Sequence, residues 1–353
     1  MGATRRHFLE MAGAVALASA AAGTAISQTR TASGSAAGPV VKPARLKPGD
    51  TIGLIEPASA TFESDKEQIA VEVVEAMGFK ARRAQHIADR YGYLAGKDED
   101  RARDVNQFFA DPSVNAVMAV RGGWGCARLL PYLDFATIAK NPKILIGYSD
   151  LTALLLAVYA RTGLITFHGP MALSTWNTFN LDWFRRVLIG AEAVTFENVH
   201  EIKDTLVQTE NRIQTITPGV ARGRLLGGNL TVLAGIVGTG YLPDFSGAIL
   251  FIEEVEENIY RVDRLLTQLA LAGILGRLRG VVFGNCTKCL PGEGYGALTL
   301  EEVLRDHIKP LNVPAWSGAM IGHIDRQFTI PEGIDVEIDA TKGTITMLEP
   351  AVA

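Results

Sequence analysis

Cysteine is scarce in this sequence, with three residues among 353, which excludes a fold held together by a disulfide framework. Cys286 and Cys289 form one C-x-x-C spacing, but no second pair accompanies it, which argues against a four-cysteine zinc site. We interpret both as ordinary cysteines near the end of a strand, with a redox pair as the alternative. Because H-E-x-x-H and similar ligand spacings are also absent, we expect no bound metal.

Runs of positive charge are missing as well. No basic stretch follows residue 30 and the formal net charge is −4, so nothing indicates a nucleic-acid partner. The glycines at 122–125 lack the spacing of phosphate-binding and dinucleotide-binding loops, and we expect no cofactor. Apolar residues make up 48% of the chain and charged residues 20%, which is typical of a globular protein, and the length favours two domains.

The N-terminal 27 residues have the pattern of an export signal. Arg5 and Arg6 form a twin-arginine pair, followed by an apolar, alanine-rich run at 11–26 that is short for a membrane span. We therefore predict a twin-arginine signal peptide at 1–27 that is cleaved, with an uncleaved N-terminal helix as the alternative. The mature protein is then periplasmic or secreted, without stable membrane insertion. A flexible linker rich in small residues is expected at 28–45.

Residues 46–175 alternate short apolar strands with helical segments. Strands predicted near 51–56, 114–120 and 144–147 are separated by helices, which is typical of an α/β domain on a parallel sheet of the Rossmann or flavodoxin type. We assign residues 46–175 to an N-terminal domain, the one that carries the candidate nucleophile.

A connector with a weak pattern is predicted at 176–220, followed by a second, smaller α/β or β-rich domain at 221–350. Ligands of parallel sheets bind beyond the carboxyl ends of the strands. The loops at 121–125 and 147–150 both follow such strands, so we expect them to lie side by side, with the active site at the interface between the two domains.

The segment at 144–155 predicts an apolar strand, a sharp turn that carries Ser149, and an apolar helix. Such a turn exposes the serine hydroxyl next to free N–H groups at the helix start, as in a serine hydrolase. Two observations favour a plain helix N-cap instead: serine is common at that position, and Leu151 replaces the second glycine of G-x-S-x-G. The segment taken alone leaves both interpretations open.

A serine nucleophile needs a base, and the base needs an orienting acid. Among the six histidines, His168 and His323 lie in loops that follow apolar elements, and each is also compatible with a structural role. For the acid, Glu253 directly follows the apolar strand predicted at 248–252, which makes it the most buried member of the acidic run that it starts. The chain order Ser149, Glu253, His323 also occurs in α/β-hydrolases.

Two backbone N–H groups are needed for the oxyanion. The amide of Asp150 directly follows the serine, and glycine at 122–123 lets the backbone of that loop approach a substrate closely.

Several short motifs occur together in one order along almost the whole mature chain, from about residue 46 to 345. The motifs are Y-L-A-G at 93–96, R-G-G-W-G at 121–125, G-Y-S-D-L-T-A-L at 147–154, F-H-G-P at 167–170, G-G-N-L at 227–230, Y-R-V-D-R at 260–264 and G-H at 322–323. This ordered set resembles the LD-carboxypeptidases, the muramoyl-tetrapeptide carboxypeptidases of peptidase family S66.

The resemblance implies a catalytic triad of Ser149, Glu253 and His323, with Glu254 as the less favoured acid. It also implies an oxyanion hole formed by the amides of Asp150 and Gly123. The reaction of the family removes the terminal D-alanine from a murein tetrapeptide through an acyl-enzyme, without a cofactor. Many members are dimers, so a homodimer is one partner to test.

Two features depart from the family. Trp124 stands where the glycine loop usually has tyrosine, and many relatives are cytoplasmic whereas this chain carries an export signal. We take Trp124 and Asn229 as candidates for substrate contacts. Two alternatives stay open: an amide hydrolase of the microcin-immunity kind, which acts on peptide–nucleotide conjugates, and a periplasmic binding protein without turnover.

Overall fold

The computed structural model describes residues 39–200, 206–292 and 296–353. The predicted signal peptide at 1–27 and the first part of the predicted linker lie outside the described residues. All described residues belong to one compact unit of the chain. Among them, no helix combines the length and apolar character that crossing a membrane requires.

The described residues form strands and helices in an order that begins with strand–helix alternation. The strands are β1 (Thr51–Ile55), β2 (Lys80–Arg83), β3 (Ala116–Ala119), β4 (Ile144–Gly147), β5 (Thr166–His168), β6 (Thr195–Glu197), β7 (Gln214–Thr217), β8 (Val220–Asn229), β9 (Ile249–Val255), β10 (Gly280–Thr287), β11 (Ala315–Ser317), β12 (Ile330–Glu332), β13 (Asp335–Asp339) and β14 (Thr344–Met347). The helices are α1 (Ser64–Ala76), α2 (Asp98–Ala110), α3 (Cys126–Leu129), α4 (Phe135–Lys140), α5 (Thr152–Thr162), α6 (Thr178–Phe184), α7 (Leu230–Gly235), α8 (Ile259–Leu271) and α9 (Leu300–Ile308).

The first sheet has the order β12-β5-β4-β3-β1-β2. Strands β1 to β5 pair in parallel, and β12 pairs antiparallel with β5. Every residue of β3, β4 and β5 is buried, which explains the uninterrupted apolar sequence of β3 and the apolar run that makes up most of β4. The predicted parallel-sheet α/β fold of the N-terminal part is confirmed.

The second sheet has the order β6-β14-β13-β8-β9-β10-β11-β7. Its centre, from β8 to β11, is parallel, and antiparallel strands flank it on both sides. Helix α5 is buried along its first eight residues because it packs against β4 and β5 of the first sheet and β8 of the second. The predicted second, β-rich part of the fold is confirmed.

The chain crosses between the two sheets in ways that the sequence pattern does not indicate. The predicted connector at 176–220 contains α6, β6 and β7, and the two strands belong to the second sheet. Within the segment predicted as the C-terminal domain, β12 joins the first sheet. Strands of three or four residues carry too few positions for a clear alternating pattern.

Candidate active site

Ser149 lies at a sharp turn between β4 and α5. Its φ angle is +64°, in the left-handed region that a residue with a Cβ seldom adopts. A side chain on Gly147 would approach Leu151 Cγ to 2.7 Å, so glycine is required for the turn to be this tight. A strained strand-to-helix turn that presents a hydroxyl is the geometry of a nucleophile elbow.

Ser149, His323 and Glu253 form one hydrogen-bonded row. The distance from Ser149 Oγ to His323 Nε2 is 2.9 Å, and that from His323 Nδ1 to Glu253 Oε2 is 2.8 Å. Glu253 lies on β9 and is fully buried, whereas the His323 side chain keeps 20% of its surface exposed. Gly322 has φ +119°, and a Cβ there would lie 2.8 Å from Glu253 Oε2, so this glycine lets the histidine loop reach the acid.

The two candidate acids have different partners. Glu254 Oε2 accepts hydrogen bonds from the N–H and the hydroxyl of Thr231, at 2.8 and 2.7 Å, and Glu254 Oε1 accepts one from Asn229 Nδ2. Glu253 is therefore the acid in contact with His323, and Glu254 fastens the start of α7 to β9.

Opposing effects act on the pKa of His323. Burial, the largest single effect, favours the neutral ring. The hydrogen bond and charge of Glu253, with smaller contributions from Glu254 and Glu256, outweigh it and raise the pKa of His323. The ring of Tyr148 packs against that of His323 at a centroid distance of 4.9 Å. The site therefore stabilises an imidazolium, the state of a histidine that has accepted a proton.

The glycine loop after β3 lies against the serine, as the sequence predicts. A Cβ on Gly122 would lie 3.0 Å from Ser149 Cβ and 3.2 Å from Ser149 Oγ. Gly123 has φ +122°, and a Cβ there would overlap the side chain of Ser59. The amides of Asp150 and Gly123 are thus in loops that meet at Ser149; their role as oxyanion donors stays a prediction.

An open cavity of about 850 Å³ leads to Ser149 and His323. A second cavity of about 930 Å³ shares Thr287 and His323 with the first. The first cavity is lined by Thr61, Glu63, Lys66, Ile69, Val73, Val120, Arg121, Gly122, Gly123, Tyr148, Ser149, Met171, Ala172, Leu173, Ser174, Val255, Glu256, Thr287, Lys288 and His323.

The two candidates for substrate contacts, Trp124 and Asn229, are not among the residues that line this cavity. Trp124 is 48% exposed, and its ring centroid lies 5.8 Å from that of Tyr93. Asn229 is buried, and its side chain caps α7 by accepting a hydrogen bond from the N–H of Val232 and donates another to Glu254. Its contacts are those of a residue that stabilises the fold, and its role in substrate binding stays a prediction.

The second histidine singled out by sequence, His168, is fully buried. Its ring lies 5.3 Å from that of Phe251, and burial lowers its pKa to about 4. Neither of its ring nitrogens has a hydrogen-bond partner, whereas His323 Nε2 is hydrogen-bonded to Ser149 Oγ. Of the two histidines, His323 is therefore the one in the position of a base.

Cys286 and Cys289 are joined by a disulfide bond, so their interpretation as ordinary strand-end cysteines is wrong. They close a tight loop at the end of β10, and the two residues between them, Thr287 and Lys288, line the first cavity. The C-x-x-C spacing is the sequence signal for this bond. The sequence does not show that the loop closed by the bond lies beside the cavity, so the spacing alone indicated no function. Arg121 and Lys66 also line this cavity and were not singled out from sequence.

One group of side chains has metal-ligand geometry within the described ranges. His86, Asp89 and Asp100 each place a ligand atom within 4.8 Å of the others. However, Arg103 Nη1 donates to Asp100 Oδ1 at 2.6 Å and lies 3.2 Å from His86 Nε2, so a guanidinium already supplies the positive charge.

Comparison with known proteins agrees with this geometry. A family model described as the LD-carboxypeptidase N-terminal domain matches residues 52–169, and one described as the LD-carboxypeptidase C-terminal domain matches residues 222–338. The protein is therefore a serine-type peptidase. It belongs to the LD-carboxypeptidase family, peptidase family S66.

Individual relatives match over most of their length. The chain is 36% identical to a probable murein peptide carboxypeptidase of Bacillus subtilis over 303 residues, which is 86% of this chain and 93% of the relative. It is 34% identical to the murein tetrapeptide carboxypeptidase of Pseudomonas aeruginosa over 280 residues, 77% of this chain and 87% of the relative. A solved structure of MccF in complex with glutamyl sulfamoyl guanosine superposes with a TM-score of 0.80 at 27% identity, covering 88% of this chain and 99% of MccF.

Proposed function

We propose that the protein is an exported LD-carboxypeptidase that removes the terminal D-alanine from peptidoglycan tetrapeptides. The observation that carries the proposal is the hydrogen-bonded row from Ser149 through His323 to the buried Glu253. Two curated relatives named as murein peptide carboxypeptidases support the substrate class. The twin-arginine pair at Arg5 and Arg6 supports export.

The proposed reaction is an acyl transfer. His323 Nε2 accepts the proton of the Ser149 hydroxyl while Oγ attacks the carbonyl carbon that precedes D-alanine. The amides of Asp150 and Gly123 stabilise the oxyanion. Glu253 accepts a hydrogen bond from Nδ1–H of His323, which fixes the tautomer and stabilises the imidazolium. His323 then protonates the leaving amine, and the second half-reaction uses water in place of the serine.

The decisive assay is the release of D-alanine from purified murein tetrapeptide. We expect release by the unaltered protein, a loss of at least about 10³-fold in the Ser149→Ala variant, and no loss in Ser246→Ala, whose hydroxyl donates to Asp244 on the surface. Equal rates in the parent and the Ser149→Ala variant would refute the nucleophile. No release by any correctly folded variant would refute the substrate class.

Export and assembly need separate tests. A reporter enzyme that follows residues 1–45 should reach the periplasm in a bacterium with a twin-arginine translocase, and replacing Arg5 and Arg6 by lysine should retain it in the cytoplasm. We also propose that the protein forms a homodimer, and the mass of the purified protein in solution, measured by light scattering, distinguishes a dimer from a monomer.

One observation favours a second candidate function. The likeness to MccF in complex with glutamyl sulfamoyl guanosine, together with the exposed aromatic pair of Tyr93 and Trp124, supports hydrolysis of an amide in a peptide–nucleotide conjugate. In that case an aminoacyl sulfamoyl nucleoside should be cleaved faster than the tetrapeptide by the same serine. Comparing kcat/KM for the two substrates distinguishes the candidates.

A further inference from the structure

The cavity in front of Ser149 carries an excess of positive charge. Lys66, Arg121 and Lys288 line it, against the carboxylates Glu63 and Glu256. Lys288 is compensated, because its Nζ lies 2.9 Å from Glu256 Oε1. Within the described parts of the chain, neither Lys66 nor Arg121 forms an ion pair with a carboxylate.

Arg121 is the cation held next to the serine. It is the second residue after the end of β3. It directly precedes Gly122, which lies against Ser149. Its Nη1 donates to the carbonyl oxygen of Ala60 at 3.2 Å. A guanidinium has five N–H donors, so most of them are left for a ligand in the cavity.

The carboxyl group whose charge acts on Arg121 is buried away from solvent. Glu56 accepts a hydrogen bond from the N–H of Thr61 at 3.1 Å. Burial, the largest effect, raises the pKa of Glu56 to about 7, and its hydrogen bonds to Thr61 and the charge of Arg121 oppose that rise. At neutral pH Glu56 therefore compensates the charge of Arg121 only in part.

The chemistry of a carboxypeptidase specifies what such a cation would bind. The C-terminal carboxylate is one residue beyond the scissile bond, roughly 4 Å from the attacked carbonyl carbon along the chain. It must therefore lie close to Ser149, inside the same cavity. The planar fork of an arginine matches the two oxygens of a carboxylate, and a lysine supplies an additional point charge.

We propose that Arg121, with Lys66 as a second cation of the same cavity, binds the α-carboxylate of the departing D-amino acid and so restricts the enzyme to the free C-terminus of its substrate. This proposal rests on the proposed function. It assigns Arg121 to substrate recognition rather than to the chemical step, and it predicts that peptides ending in a carboxamide are poor substrates.

The test compares two tetrapeptides with lysine as third residue, one with a free C-terminal carboxylate and one with a carboxamide. We expect the unaltered protein to prefer the free acid in kcat/KM by about 10- to 100-fold. In Arg121→Gln the free acid should lose about that factor while the carboxamide changes little, so that the ratio approaches one. Lys66→Gln should lower the ratio in the same direction by a smaller factor.

Arg90→Gln is the matched control for a structural role. Arg90 Nη2 donates to the carbonyl oxygens of Thr61 and Phe62, in the loop that Arg121 holds through Ala60, but Arg90 does not line the cavity. We expect it to keep the parent's preference for the free acid. If Arg121→Gln reduces kcat/KM for both substrates by the same factor, the proposal is overturned.

A binding experiment separates this proposal from the proposed function. The affinity of both peptides for the Ser149→Ala variant is measured by calorimetry, with and without Arg121→Gln. Tighter binding of the free acid that depends on Arg121 supports the carboxylate site even if the parent hydrolyses neither peptide, which would refute only the proposed function. Equal affinities for acid and carboxamide in the Ser149→Ala protein overturn the carboxylate site, whatever the turnover.

Discussion

The carboxyl group of Asp150 accepts a hydrogen bond from the N–H of Cys126, with a distance of 2.7 Å from nitrogen to Oδ2. Cys126 begins α3 immediately after the glycine loop, and Asp150 directly follows Ser149. One residue thus connects the turn that carries the candidate nucleophile to the loop that carries the second candidate oxyanion donor. Burial raises the pKa of Asp150, and the hydrogen bonds from the Cys126 backbone and thiol oppose this rise.

Replacing Asp150 should separate these two loops. We expect Asp150→Ala to lower kcat by at least about 10-fold and the free energy of unfolding by about 1–3 kcal/mol, because a buried N–H loses its acceptor. Asp150→Asn retains an oxygen at the same place and should keep most of both quantities. Steady-state kinetics and urea unfolding measure the effects; an inactive but fully stable Asp150→Asn variant would instead indicate that the charge itself is required.

A methyl group at Gly122 should displace the side chain of Ser149, the candidate nucleophile. The added Cβ would lie 3.2 Å from Ser149 Oγ, so we expect Gly122→Ala to reduce kcat by about 10²-fold while the fold persists, since misplacing a reacting atom by about 1 Å has effects of that size. Gly235→Ala is the control, because nothing lies within 4 Å of its added Cβ. Unchanged turnover in Gly122→Ala would contradict this expectation and show that the glycine loop shifts to accommodate the methyl group without moving Ser149.

The pH dependence of hydrolysis should report His323. The proposed base must be neutral to accept the serine proton, and its pKa is raised above the ordinary 6.5, so kcat/KM should rise with pH through that higher value. Glu253→Gln removes the nearest negative charge and should shift this rise to lower pH while reducing the plateau by about 10²- to 10⁴-fold. Glu256→Gln, at an exposed carboxylate, should shift it less. An identical profile in Glu253→Gln would contradict the role of Glu253.

Glu56 should make the fold less stable as the pH rises. Its pKa is about 7 in the folded protein against an ordinary value of 4.5, so above pH 4.5 the unfolded chain releases a proton that the folded chain retains. Stability is therefore lost between about pH 4.5 and 7, by roughly 3 kcal/mol for this group. Glu56→Gln removes that loss. Urea unfolding at pH 5 and 8 should show the variant gaining on the parent with pH; parallel changes would contradict the assignment.

The Cys286–Cys289 disulfide should stabilise the loop beside the cavity. For a loop this short the chain-entropy relation gives about 2 kcal/mol, so we expect the double replacement of both cysteines by serine to lower the free energy of unfolding by that amount. Reductant should produce the same loss in the parent and none in the double variant. If reductant lowers the stability of both proteins equally, the effect does not come from this bond.

Local sequence was sufficient where the structure is determined by neighbouring residues. The turn at Ser149 and the strand before it follow from an apolar run of three residues, a glycine and an apolar helix, and the structure has all three. The predicted α/β fold class is confirmed, because alternation of strands and helices is also a local pattern. Glu253 and His323 could be proposed from sequence because each directly follows a local signal. Glu253 follows the apolar run at 249–252, and the structure extends that strand through Glu253 to Val255; His323 follows Gly322.

Pairings between residues far apart in the chain could not be predicted from local sequence patterns. Strand β12 is three residues long and pairs with β5 through Ile330 and His168, which no local periodicity indicates. The disulfide bond depends on the end of β10 turning back on itself. Among the described residues Arg121 forms no ion pair with a carboxylate, and this too is a property of the tertiary structure, because the sequence does not give the distances between side chains.

The segment that carries His323 runs from β11 in the second sheet to β12 in the first. Asn177 and Asn180 of the α6 region also bind it, through the carbonyl oxygen of Asp325 at 2.7 and 2.9 Å. A chain in which only one sheet has assembled therefore has the serine without its histidine, or the glutamate without either. The three side chains of the candidate site therefore come together only where both sheets have assembled, and local unfolding of either sheet separates them.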